Sequence, residues 1–245
     1  MLDSFFFCAV IFILGACIAS FLNASALRLT NNQESILSPS RCRGCDKNLS
    51  WRELVPIISW LMQQGRCSCK KTTLSPQYLF VEVSLGVTFV VLYQVTPTLP
   101  SFIFYSILSG CLFFCLLTDA LHQLLYMPVI LFCLAVGLTF SWGEGRLLNA
   151  CIGASIGFLL LWSINLAYKK FRGQDGLGGG DKYLLAAIGG WFGFPAVLEI
   201  LVLASWIGAG WAILLLLNKR LPKALPLGVF LVLATPLIAL KLFVD

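Results

Sequence analysis

Apolar runs constrain this chain more than any other feature. Eight stretches are candidate membrane spans, roughly 4–26, 78–94, 100–118, 125–141, 147–168, 182–194, 195–217 and 225–243. Several fall short of the roughly 20 residues of a clean span. The sixth and seventh run together through Gly193-Phe194-Pro195, where the glycine and proline predict a turn. Only 11% of the residues are charged, against about 25% in a soluble domain. The expectation is an all-α polytopic membrane protein of about eight transmembrane helices.

Charge sets the expected orientation. With residues 28–77 on the cytoplasmic side and alternation from there, 15 of the 17 Lys and Arg fall in cytoplasmic loops; Arg146 and Lys241 are the exceptions. Both termini then face the periplasm of a bacterial inner membrane protein. The net charge of +6 is thus a matter of topology and anionic lipid, not of nucleic acid. The first run has Asp3 where a secretory signal would be basic, and Arg28 follows it, so residues 1–29 read as a retained first helix. Residues 30–77 form a small cytoplasmic cysteine domain, and 78–245 the main membrane domain.

Two aspartates stand out against this background. Asp119 ends the third span and Asp181 begins the sixth, so the topology puts both at the cytoplasmic interface. An ionisable residue at a membrane segment marks function by default. Asp181 follows Gly176-Leu177-Gly178-Gly179-Gly180, too glycine-rich for a helix interior. Such a loop allows close backbone approach, and Gly178 and Gly180 are candidates to pass an extended substrate near the carboxylates. The plainer alternative is a flexible loop with Asp181 as a helix cap facing water. Asn23 and Glu82 lie in the first two spans near the cytoplasmic face. Each suits an interhelical hydrogen bond, and Glu82 is also a candidate substrate contact.

The cytoplasmic segment holds Cys42-Arg43-Gly44-Cys45 and Cys67-Ser68-Cys69. Two close pairs about 20 residues apart resemble a zinc ribbon, and a reducing cytoplasm favours metal over a disulfide. Four thiolates leave no open position on Zn²⁺, so the expected role is structural. A redox dithiol and free thiols are the competing readings. The other cysteines, Cys8, Cys17, Cys111, Cys115, Cys133 and Cys151, lie in apolar runs as small packing residues. His122, the sole histidine, sits near Asp119 and could tune it or hydrogen-bond locally. No Gly-x-Ser-x-Gly, phosphate-loop or Rossmann signature occurs.

Two carboxylates within about 3 Å do not easily both ionise. The ionised member can take a proton from water while the other donates to a peptide carbonyl, which is aspartic-protease chemistry. Two other classes use the same residues differently. A proton-coupled transporter would carry protons on the aspartates and break a helix at the glycines. A zinc-bearing scaffold would need the cysteines alone.

Gly178-Gly179-Gly180-Asp181 followed by Lys182-Tyr183-Leu184-Leu185-Ala186-Ala187 resembles the Gly-x-Gly-Asp motif of type IV prepilin peptidases, membrane aspartyl proteases. Ser20-Phe21-Leu22-Asn23, the Cys42–Cys45 pair, Trp51, Pro56, Ser59-Trp60, Gly65-Arg66-Cys67, Ser75, Tyr78 and Val81-Glu82 extend the likeness over most of the chain. The resemblance implies Asp119 and Asp181 as the catalytic pair and Cys42, Cys45, Cys67 and Cys69 as the metal set. It implies removal of a short basic leader from type IV prepilins or pseudopilins at the cytoplasmic face, and, for many members, N-methylation with S-adenosylmethionine. There are two departures. The second cysteine pair is one residue shorter than the family's, and Leu125-Tyr126-Met127-Pro128 stands where an accessory aspartate is common.

Overall fold

The computed structural model describes residues 2–31, 40–42, 48–67, 69, 73–174, 176–218 and 226–244. The described residues are helical apart from turns and two isolated bridges, and among them no strand forms. The helices are α1 (Leu2–Asn31), α2 (Ile58–Met62), α3 (Gln77–Val95), α4 (Leu99–His122), α5 (Met127–Gly143), α6 (Leu147–Arg172), α7 (Asp181–Phe192), α8 (Ala196–Leu217) and α9 (Leu227–Val244). Ser4–Leu29, Gln77–Val95, Leu99–His122, Leu147–Arg172 and Ala196–Leu217 are long and apolar enough to cross a bilayer. Met127–Gly143 and Leu227–Leu242 are apolar but shorter, and α7 has only 12 residues. The chain is therefore a multi-pass membrane protein, with five candidate spans among the described residues against eight apolar runs in the sequence. Hydropathy finds apolar runs; it does not measure the helix inside each.

The chain divides into two compact units, Met1–Phe114 and Cys115–Asp245. In the first, α1 crosses α3 where two glycines meet. A Cβ on Gly15 would lie 2.9 Å from the Gly86 backbone, so only small residues permit this crossing. Asn23 is completely buried, and neither amide atom meets a protein partner among the described residues. The expected interhelical hydrogen bond of Asn23 does not form there. Ahead of α3, Leu49 donates its amide to Ser40 and Leu74 to Gly65, at 2.8 and 2.7 Å. Each closes a turn carrying a bridge, Arg41 with Asn48 and Arg66 with Thr73.

The second unit is built around α7, of which every residue but Lys182 and Tyr183 is buried. An apolar helix this short and this enclosed gains from neighbours on all sides. On one side Gly157 lets α6 approach so closely that a Cβ there would lie 2.8 Å from the Leu185 carbonyl oxygen. On another, Trp191 stacks on Phe140 with ring centroids 5.7 Å apart and donates its indole N–H to the Cys133 carbonyl at 2.9 Å. Ser141 donates to the Gly190 carbonyl at 3.0 Å. The turn expected at Gly193-Phe194-Pro195 is present: Gly193 ends α7 with φ +70, the Phe194-Pro195 peptide is cis, and Asn149 accepts the Phe194 amide at 3.1 Å.

Candidate active site

Asp119 and Asp181 come together within the second unit. Asp119 is not the last residue of its helix, as hydropathy placed it; α4 continues to His122. Asp181 opens α7. Each is only 4% exposed, so the reading of Asp181 as a solvated cap does not hold.

The element that joins the two is the N-terminus of α9. The Val229 amide donates to Asp119 Oδ2 at 2.9 Å, and the neighbouring Gly228 backbone lies against Asp181. Adjacent residues of one first turn thus meet two carboxylates from different helices. A Cβ on Gly228 would lie 2.6 Å from Asp119 Oδ2 and 3.4 Å from Asp181 Oδ1. The two carboxylates share that small space, and only glycine fits between them and the helix.

The glycine loop serves its own packing at most positions. Gly176 has the Tyr168 ring where its side chain would be, with Cγ at 2.6 Å, and Gly180 has Leu125 Cβ at 2.6 Å. The Gly178 amide donates to Asp181 Oδ2 at 3.1 Å, and a Cβ on Gly178 would meet that same oxygen at 2.8 Å. Gly179 faces open space. At its other end the loop meets α6, where Asn165 Oδ1 accepts the amides of Gly176 and Leu177 at 2.9 and 3.1 Å.

The other candidates are placed as follows. Glu82, in the first unit, is buried and accepts the Ile57 amide at 2.7 Å. Its carboxylate holds the segment between α1 and α3 to α3. His122 is exposed at the end of α4. Cys42, Cys67 and Cys69 bring their sulfurs within 4.8 Å of one another, and Cys45 lies outside the described residues. Cys42 and Cys67 are buried, with sulfurs 2.9 Å apart. The hydrogen bond with Cys42, together with burial, pushes the Cys67 thiol up to about 11. Three converging thiols suit a thiophilic ion such as Zn²⁺, which would displace those protons.

Sequence reasoning missed Gly228, Val229 and Asn165. Val229 acts through its backbone amide, which carries no residue signature, and Gly228 through the side chain it lacks. Their one signal was position, since the run 225–243 was expected to begin at the cytoplasmic face where both aspartates lie.

These features define a multi-pass helical membrane protein organised around a buried aspartate pair. Residues 106–213 match the type IV leader peptidase family, and residues 13–96 the bacterial peptidase A24 N-terminal domain. The chain belongs to the type IV leader peptidase family. Curated relatives called prepilin leader peptidase/N-methyltransferase include one from Myxococcus xanthus, 32% identical over 86% of this chain and 64% of its own length. One from Aeromonas salmonicida is 35% identical over 80% of this chain and 68% of its own. One from Klebsiella pneumoniae is 32% identical over 80% and 89% respectively. The chain thus spans a little less than two thirds of the Myxococcus protein and most of the Klebsiella one. No solved structure matches the chain significantly.

Proposed function

We propose that the chain is a membrane aspartyl endopeptidase that removes the leader of type IV prepilins or pseudopilins at the cytoplasmic face, with Asp119 and Asp181 as its catalytic pair. The observation that carries this reading is the shared clamp. Two buried carboxylates, far apart in sequence, converge on the start of α9, where the Val229 amide donates to Asp119 and Gly228 lies against both. A pair of this kind sharing one proton can activate water with one member and donate to the scissile carbonyl with the other. The water oxygen bonds to the carbonyl carbon, the C–N bond breaks, and the leaving nitrogen takes the proton. Asp119 is held by Val229 and Asp181 by Gly178, so neither must reorganise when substrate arrives.

Gly179, with open space before it, is the loop position best able to take an extended substrate backbone, and Gly178 and Gly180 shape the loop on either side. Glu82 acts in this reading as an anchor for the cytoplasmic segment. Cys42, Cys67 and Cys69, with Cys45, would hold a structural Zn²⁺ that folds residues 30–77. Eight membrane crossings with periplasmic termini complete the arrangement, supported by the distribution of Lys and Arg. The relatives' names also carry an N-methyltransferase activity, which we extend to this chain as methylation of the new N-terminus. Among the described residues no strand–helix adenosine cradle of the glycine-rich kind is built, so no step is derived through S-adenosylmethionine.

Leader cleavage of a co-expressed prepilin, followed as a gel shift, tests the reading. Asp119→Asn and Asp181→Asn keep shape and remove acid–base function, and each alone abolishes cleavage at normal membrane levels. Near wild-type cleavage by either variant refutes the pairing.

A further inference from the structure

The loop before Asp181 is held in place at two ends, and one end is a side chain that no motif singles out. Asn165 lies two turns before the end of α6, which closes with Gly173 at φ +72. The chain then doubles back along the helix. Two successive amides, Gly176 and Leu177, converge on the one carboxamide oxygen of Asn165, at 2.9 and 3.1 Å. The next amide, Gly178, turns to Asp181 Oδ2 at 3.1 Å. Three consecutive N–H groups therefore each meet a side-chain oxygen, two on α6 and one on α7. Tyr168, one turn along α6, covers Gly176 from the other side.

A concave run of amides around one oxygen is the geometry that binds anions elsewhere. Here a neutral carboxamide fills it from within the chain. If the first two amides moved, the third would be drawn off its line to Asp181, because only the two dihedrals of Leu177 separate it from the second. The consequence would fall on the aspartate rather than on the helices, which are packed independently through Gly157 and Trp191.

We propose that Asn165 is a positioning residue for the reaction: its carboxamide oxygen, by holding the Gly176 and Leu177 amides, sets the path of the glycine loop and so the orientation of Asp181. This rests on the reading of Asp181 as catalytic. Asn165 touches neither substrate nor reacting atoms and acts through the loop.

The test compares Asn165→Leu, which has similar size and no acceptor, with Asn165→Asp, whose carboxylate accepts the same two amides. Purified full-length protein in detergent is assayed on a prepilin peptide for kcat and KM. Amide hydrogen exchange is followed over residues 176–181. Asn165→Leu lowers kcat by on the order of 10- to 100-fold, the scale for misplacing a reacting group, and changes KM little. It also speeds exchange in the loop and leaves α7 protected. Asn165→Asp restores most of the rate. If Asn165→Leu fails to accumulate in the membrane, Asn165→Ala carries the same comparison. Unchanged kcat and loop exchange in the acceptor-less variant overturns the proposal, as does an Asn165→Asp variant no better than Asn165→Leu. Should the wild type itself not cleave, the protease reading falls, while the exchange data still decide whether Asn165 anchors the loop.

Discussion

Gly228 and Asp119 stand so close that a methyl group has no room between them. A Cβ at 228 would sit 2.6 Å from Asp119 Oδ2, inside any normal contact, and the atom it would meet is the end of a carboxylate. Gly228→Ala therefore displaces the carboxylate proposed to react. Alanine is the better helix former by about 1 kcal/mol, so the variant is expected to keep its thermal stability and membrane level. Leader cleavage falls by about 100-fold, as expected when a catalytic group moves by about an ångström. Initial cleavage rates beside thermal unfolding in detergent decide the matter; a Gly228→Ala enzyme cleaving at the wild-type rate would show that the clamp has no catalytic consequence.

The two aspartates could be read from the sequence because cost made them conspicuous. A carboxylate at the end of an apolar run needs a reason, and the charge pattern put both at one face. The cysteine pairs were readable through their spacing. The α9 clamp was not, because Val229 acts through an amide that every residue but proline possesses and Gly228 through the side chain it lacks. Glu82 was readable as important but not as an anchor, since its partner is the backbone of Ile57. The extent of α4 beyond Asp119 was missed because Asp119 interrupts the apolar run while the helix continues through it to His122. Helix length answers to hydrogen bonding, and hydropathy answers to solvent.

Ile57 and Glu82 make a coupled pair. Ile57 has φ +63 and ψ −55, with the Ile58 amide donating back to the Pro56 carbonyl at 2.6 Å. This is a γ-turn of the uncommon hand, strained for a β-branched residue. The Ile57 amide is held by Glu82 Oε2 at 2.7 Å. Glu82→Leu removes that hold and is expected to cost about 1.5–3 kcal/mol, the range for a hydrogen bond to a charged group. Because glycine enters the turn without strain, the same Glu82→Leu change costs less in an Ile57→Gly background. A double-mutant cycle on denaturant midpoints measures the difference. Strict additivity would mean that the carboxylate does not support the turn.

Trp191 gives a stability prediction separate from the chemistry. Its ring fills the space above Gly137, where a Cβ would lie 2.6 Å from the indole nitrogen, and its N–H satisfies the Cys133 carbonyl. Trp191→Phe keeps the stacking on Phe140, removes the indole hydrogen bond to the Cys133 carbonyl and leaves a small void. The expected loss from the two together is about 1–3 kcal/mol. Thermal unfolding in detergent reports it as a lower midpoint, with cleavage below the transition unchanged. A midpoint equal to wild type would remove Trp191 as the tie between α5 and α7.

Metal content tests the cysteine cluster. Cys42, Cys67 and Cys69 converge from turns on either side of α2, and Cys67 holds its proton up to about pH 11 through its hydrogen bond with Cys42. Zinc binding must displace such protons, so affinity is expected to weaken as pH falls. Purified wild-type protein is expected to carry one zinc per chain by elemental analysis. Cys67→Ser, which removes a thiolate from the middle of the set, loses most of it. Stripping the ion with a chelator leaves the membrane helices intact, as judged by circular dichroism, and opens residues 40–76 to limited proteolysis, because the metal's contribution there is to folding. With the metal gone, Cys42 and Cys67 are the pair placed to oxidise, their sulfurs already 2.9 Å apart. Zinc-free wild-type protein with the same proteolytic resistance would assign the cluster to packing, and the bridged turns alone would then account for the fold of the segment.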